Sequence, residues 1–320
     1  MNSYRELYKS CRLCPRECRV DRSAGETGFC GESDEMRLAW AGLHKGEEPP
    51  VSGAKGSGTL FFTGCTLRCA FCQNRQLSRG GTGRVVSPRE LSDIMLSLQD
   101  EGAENINLVT GSQFIPGILE ALKLGEEGGL SLPLVWNTSG YEKPDSLKLM
   151  EGRINLWLPD MKTLDSNLSN SLFHAPDYPE WASRSIHFMA ASGVSGLPWE
   201  GASVKMILRH LILPGFSDST EEVLKWYAKL MKKGGSFLLS LMTQYTPVRG
   251  GDTTAPGRML TGDEALMVYD LLDELGIEEG FFQGPPEEEV HDENNNWEPD
   301  FNRDNPFPEG WARCLWHWKN

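Results

Sequence analysis

No run of clustered Lys and Arg occurs anywhere in the 320 residues, and the net charge is −14. A duplex-binding face needs a concentrated basic patch, so nucleic acid is not an expected partner. No apolar stretch reaches the roughly 18 residues that a membrane-spanning helix needs, so no span is expected. Met1 to Ser10 carries Arg5 and Lys9 and no apolar h-region, so no secretory leader is expected. No block repeats at a fixed length in the solenoid range. The eight cysteines of such a chain read as metal ligands rather than disulfides, with a cytoplasmic location.

What is present centres on Gly58 to Gln76, GTLFFTGCTLRCAFCQNRQ. The apolar run Thr59-Leu60-Phe61-Phe62 reads as a buried strand. Gly64 frees the backbone to turn, because it has no Cβ to clash. Cys65, Cys69 and Cys72 follow on the loop past the strand end. Three thiolates are too few for a closed structural zinc site. On a four-iron cluster they leave one iron open, the mark of a reactive site. Buried free cysteines, or zinc completed by a distant residue, are the plainer alternatives. An exposed cluster with an open iron implies a reducing, anaerobic setting.

A second set, Cys11, Cys14, Cys18 and Cys30, lies in a segment rich in Arg, Gly and Pro without hydrophobic periodicity. A segment this short needs a staple to be ordered. Four thiolates supply one, as tetrahedral zinc or as a second cluster, unless all four are simply reduced and unliganded. Arg12, Arg16, Arg19 and Arg22 would lower the thiol pKa values and favour ligation, or form a solvated face.

After the cysteine loop, Gly80 to Val86 reads as flexible, and strand and helix patterns then alternate. Ser87 and Glu90 suit a capping box for a helix from Pro88 to about Glu101, with Leu91, Ile94, Met95 and Leu98 inward. Strands are predicted at 105–109, 132–136, 154–158, 204–213 and 237–242. Helices are predicted at 114–124, 144–150, 178–191, 220–232 (capped by Asp218 or Ser219) and 263–275. Counted from Thr59 these make six strand–helix units. The fold class is therefore α/β: an open, partial (βα)6 TIM-like barrel over residues 51–283, preceded by a Cys-rich metal-binding extension, 1–50. In parallel sheets ligand sites lie beyond the carboxyl ends of the strands.

The tail, 284–320, opens with Pro285-Pro286, Glu287 to Glu289 and polar Asn294 to Asn296, and then carries Trp297, Phe301, Phe307, Trp311, Trp316 and Trp318. A disordered tail would lack such aromatics, so it is expected to pack back onto the barrel, over its open side. Cys314 stands alone there, as a packing residue or an extra ligand of the N-terminal set.

Cys-x3-Cys-x2-Cys with Phe71 before the last cysteine resembles the signature of the radical S-adenosylmethionine (SAM) enzymes. Cys72-Gln73-Asn74 and most of residues 11–285 resemble one branch, the PflX-type proteins similar to the pyruvate formate-lyase activating enzyme. The resemblance implies the same barrel and a [4Fe-4S] cluster on Cys65, Cys69 and Cys72. It implies that SAM chelates the open iron, and that one electron then cleaves it to a 5′-deoxyadenosyl radical that abstracts hydrogen. It further implies a reductant such as flavodoxin or ferredoxin, and a protein or peptide substrate.

By the same resemblance Phe71 backs the adenine, Gly111 meets the SAM amino group, and Asn137 and Ser139 contact ribose or carboxylate. Asp160 and Lys162 match an Asp-x-Lys step that follows the fourth strand; a buried salt bridge is the equal alternative. His210, in an apolar strand, is either a cofactor contact or a hydrogen-bonded core residue. Gln244 and Tyr245 end the sixth strand as candidate substrate contacts. The chain departs from the family at Thr110-Gly111-Ser112-Gln113-Phe114, which lacks the common Gly-Gly-Glu pattern. The alternative function is an iron–sulfur electron-transfer protein without SAM cleavage, against which the open iron speaks.

Overall fold

A computed structural model describes residues 4–79, 81–232, 234–248, 253–284 and 299–320. Pro285 to Trp297 and Gly80, discussed above, lie outside the described residues.

The elements run β1 (Arg37–His44), α1 (Pro49–Ser52), β2 (Ser57–Phe62), α2 (Arg75–Ser78), β3 (Arg84–Val85), α3 (Pro88–Asp100), β4 (Ile106–Val109), α4 (Ile115–Glu127), β5 (Leu134–Thr138), α5 (Pro144–Leu147) and β6 (Leu156–Pro159). They continue with α6 (Ser166–Phe173), α7 (Tyr178–Ala191), β7 (Leu197–Trp199), β8 (Ala202–Val204), β9 (Met206–Leu211), α8 (Ser217–Met231), β10 (Phe237–Met242), α9 (Gly262–Leu275), β11 (Gly280–Phe282) and β12 (Ala312–His317).

The main sheet has the order β11-β10-β9-β6-β5-β4-β2-β1-β12. The pairs from β2 to β11 are all parallel. β1 and β12 extend the β2 edge as antiparallel strands. The six strand–helix units are followed by a seventh parallel strand, β11, too short to carry a sequence pattern. β1, within the stretch assigned to the extension, is a strand of this sheet, and Arg84–Val85 pairs with it.

Helix starts follow the capping chemistry in part. The Ser87 hydroxyl accepts from Glu90 N–H, while the Glu90 carboxylate pairs with Arg84 at 2.7 Å. The helix α8 begins at Ser217 with Phe216 at its N-cap, so neither Asp218 nor Ser219 caps it.

Side chains of successive strand residues separate into two layers. Leu60, Phe62, Leu108, Trp136, Trp157, Leu208 and Leu239 pack against the surrounding helices. Val135, Leu156, Ile207 and Leu238, near the amino ends of their strands, point inward with Val51 of α1 and Leu197 and Val204 of the β7–β8 hairpin. That inner cluster plugs the amino end of the barrel and leaves the carboxyl ends open. A third cluster joins Trp40, Phe61 and Val109 to Phe301 of the tail, with Phe307 and Cys314 against it. The tail therefore packs on the β1–β2 side, tied to the cysteine loop through Gln76, which donates to Asp300 and accepts from Phe301 N–H.

Candidate active site

The loop after β2 is held by its own backbone and by one amide. Gly64 has φ 72°, and a Cβ there would lie 2.8 Å from the Cys30 carbonyl oxygen, so glycine is required. The buried Gln113 side chain donates to the carbonyls of Thr63 and Thr110 at 2.8 Å and of Gly64 at 3.2 Å. Ala70 N–H donates to Leu172 O at 2.8 Å, and Arg79 donates to Cys69 O at 3.3 Å. The Cys65 sulfur accepts the N–H groups of Leu67 and Arg68 at 3.4 and 3.5 Å.

All three loop cysteines line one cleft of about 320 Å³ with Phe71, Gln73, Asn74, Thr110, Asn137, Ser139, Asp160, Lys162, Arg209 and Gln244. Burial and the neighbouring thiols push Cys69 and Cys72 up, and the Lys162 ammonium opposes this for both. Three thiols on one cleft, two of them buried, fit a cationic metal group, whose charge would offset the cost of ionising them.

The walls are polar where the strands end. Lys162 Nζ lies 2.6 Å from Asp160 Oδ2. Burial lowers the Lys162 pKa, but Asp160 outweighs it and holds the ammonium well above its ordinary value. Tyr178 orients this wall: its hydroxyl lies 3.0 Å from Ser139 O and 3.1 Å from Asp160 O and accepts from Lys162 N–H at 2.9 Å. Thr110 has φ 55°, a conformation costly for a β-branched residue, at the point where β4 enters the cleft.

Two residues expected at the site lie elsewhere. Gly111 faces the helix layer, where a Cβ would meet Ile118 at 2.8 Å and Trp136 at 3.1 Å. His210 points outward from β9: Nδ1–H donates to Met161 O at 2.7 Å, and Nε2 lies 3.0 Å from the Thr220 hydroxyl, from which it accepts. Burial holds its pKa down at about 4, so the ring is neutral. Its strand neighbours Arg209 and Leu211 line the cleft instead.

Sequence reasoning missed an ionic group on the cleft wall. Arg209 donates to Glu48 Oε1 at 2.7 Å and also to Glu47, and Asn107 donates to Glu47 at 3.0 Å. Burial raises Glu47, but Arg209 and His44 outweigh it and hold that carboxyl below its usual range. These partners lie more than 150 residues apart for Arg209, and no spacing signals them. The tail lines the same cleft with Phe307, Pro308 and Trp311.

The N-terminal cysteines also gather. Burial pushes Cys14 up to about 12, with Cys30, Cys11 and Cys18 adding to the effect. Among the described residues, no group of three or more Cys, His, Asp or Glu side chains is placed to hold a metal ion. No helix among them is long and apolar enough to cross a membrane.

The family model of the radical SAM superfamily matches residues 59–227, more than half of the chain. An uncharacterized protein of Methanocaldococcus jannaschii is 25% identical over 283 residues, 86% of this chain and 77% of that protein. A pyruvate formate-lyase-activating enzyme of Clostridium pasteurianum is 23% identical over 176 residues, 52% of this chain and 66% of that protein. Among solved structures, Streptococcus suis SuiB aligns over 70% of this chain at 16% identity with a TM-score of 0.48. The chain spans about half the length of SuiB, 47%. The methylornithine synthase PylB aligns over 76% of this chain and 75% of its own, at 15% identity with a TM-score of 0.42.

Proposed function

The chain belongs to the radical SAM superfamily, and from that premise we propose that it is an enzyme cleaving SAM reductively in the cleft at the carboxyl ends of its strands. When bound, the four-iron cluster supplies one electron and SAM supplies the radical that abstracts a substrate hydrogen. The observation that carries the reading is the convergence of Cys65, Cys69 and Cys72 with the polar strand ends in one cleft.

In this reading Cys65, Cys69 and Cys72 hold three irons, and Gln113 fixes the loop that presents them. Phe71, braced by Phe173 at 5.9 Å and Tyr245 at 6.0 Å, backs the adenine. Asn137 and Ser139 hold the sugar or carboxylate, and Lys162, kept charged by Asp160, faces the SAM carboxylate. A low-potential carrier such as flavodoxin or ferredoxin delivers the electron, in the reducing cytoplasm. The likeness to a pyruvate formate-lyase-activating enzyme supports a protein or peptide as substrate. Cys11, Cys14, Cys18 and Cys30 hold a second metal group.

Anaerobically reconstituted protein given dithionite and SAM should release 5′-deoxyadenosine over many minutes of incubation. A protein that keeps its reducible cluster and releases none is an electron carrier, and the proposal fails.

A further inference from the structure

The cleft carries a second chemistry besides its cysteines, on the wall built by the end of β1, the turn after it and the tail. His44 ends β1 and Gly46 and Glu47 follow; Phe61, Phe307 and Trp311 line the cleft with them. These rings are contiguous. The His44 and Phe307 centroids lie 4.3 Å apart, and those of Phe61 and Phe307 5.6 Å apart. Gly46 fits between His44 and Trp311, where a Cβ would lie 2.9 Å from each ring. Lys45 N–H donates to Trp311 O at 2.7 Å, which ties the tail to this turn.

The fixed charge here is negative. Glu47 and Glu48 have buried side chains and share the one Arg209 guanidinium. Asp160 and Lys162, on the same wall, pair one to one. Three carboxylates against two cations leave one negative charge over. An anionic ligand would find the guanidinium already held by two carboxylates, whereas a cation would find an unbalanced one.

Two buried polar atoms beside Glu47 lack partners among the described residues. His44 is 7% exposed, and its Nδ1 makes no hydrogen bond; it faces Glu47 Oε1 at 3.7 Å, too far for one. Asn107 is fully buried; its amide nitrogen donates to Glu47 at 3.0 Å, and its Oδ1 accepts from nothing. Oδ1 is an acceptor, and Nδ1 is one when the ring carries its proton on Nε2. What the group lacks is therefore a donor. A primary ammonium brings three N–H groups and a positive charge, and aromatic faces attract the same cation.

We infer that this wall is a subsite for a primary ammonium group of the substrate, with the ammonium on Glu47 and its apolar stem against Phe61, Phe307 and Trp311. The inference rests on the reading of the cleft as the site of an enzyme acting on a protein or peptide. A lysine side chain and a free amino terminus both carry this group. Neither His44 nor Glu47 is among the residues proposed to hold SAM.

The test uses the full chain with its cluster reconstituted and SAM bound, without reductant, so that binding is read apart from cleavage. Three peptide amides are titrated by calorimetry: acetyl-Gly-Lys-Gly, acetyl-Gly-norleucine-Gly, and Gly-norleucine-Gly with a free amino terminus. The wild type should bind at least one amine peptide about tenfold tighter than the neutral one, the scale of a charge-assisted hydrogen bond. The two amine peptides distinguish side chain from amino terminus. Glu47→Gln keeps an acceptor for Asn107 and leaves Glu48 on Arg209, so it should fold. It should erase the preference, while SAM affinity stays within about twofold because the two sites are distinct. Trp311→Ala, at a residue 39% exposed, costs the core little and should weaken the preference severalfold. Equal affinity for all three peptides, binding of none, or a preference unmoved in either variant overturns the inference. A matching loss of SAM affinity in Glu47→Gln gives the wall to the cofactor and overturns it too. Protein that prefers an amine peptide yet releases no 5′-deoxyadenosine when reduced keeps the subsite and loses the radical reading instead.

Discussion

Lys162 and Asp160 form a 2.6 Å ion pair on the wall of the cleft that holds Cys69, whose thiol the Lys162 ammonium pulls down against burial. Removing one partner leaves a part-buried charge alone, at a cost of about 1–3 kcal/mol. Lys162→Met should lower stability on that scale and weaken SAM binding at least tenfold. The pair variant Asp160→Asn/Lys162→Met should recover stability but not binding. Recovery of both would make the pair a structural salt bridge, the alternative that the Asp-x-Lys spacing alone left open. Melting temperatures and SAM titrations on the two variants decide it.

Gln113 bonds to three carbonyls of the cysteine loop and the neighbouring strand end. Its loss leaves buried acceptors unpaired, at about 1–3 kcal/mol each. Gln113→Ala should fold, yet lose iron from the barrel set several times faster in a chelator challenge. Unchanged iron loss would show that the loop needs no such clamp.

His210 should behave as a core residue. Its pKa is depressed to about 4 from an ordinary 6.5, so the stability it contributes is full above about pH 6.5 and is lost as pH falls toward 4. That gap corresponds to about 3 kcal/mol. His210→Gln should lower the melting temperature at pH 7, flatten its dependence between pH 6.5 and 4, and leave SAM affinity within twofold. A large affinity loss in a well-folded variant would return His210 to the site.

His210 also shows where the sequence stops speaking. In a strand buried on both faces the residues are apolar throughout, so parity cannot be told from pattern. Arg209 lines the cleft and His210 does not, although both stand in the same apolar run. The long periodic elements were legible: β10 runs over Phe237–Met242 as read, and α7 over Tyr178–Ala191. The three-residue strands β7, β8 and β11 carry no pattern at that length. β1 hid inside a segment read for its cysteines, although Leu38-Ala39-Trp40-Ala41 is a short apolar run. The left-handed Thr110 leaves no trace in the sequence, since nothing in its neighbours demands that backbone.

Asn137 is half-buried in the cleft wall at the end of β5. Asn137→Ala should weaken SAM binding by about 1–3 kcal/mol, the cost of an unpaired polar partner. Iron content should not change, because no thiolate is touched. Unchanged affinity in a folded variant would remove this strand end from the site.

The central claim is that Cys65, Cys69 and Cys72 make the radical-generating site. The most direct measurement is 5′-deoxyadenosine released from SAM under dithionite by the wild type and by the Cys65→Ala/Cys69→Ala/Cys72→Ala variant, both reconstituted and both shown to be folded. Release by the wild type and none above background by the variant, even with its N-terminal set still loaded, is the predicted result. Equal release by both would contradict the account.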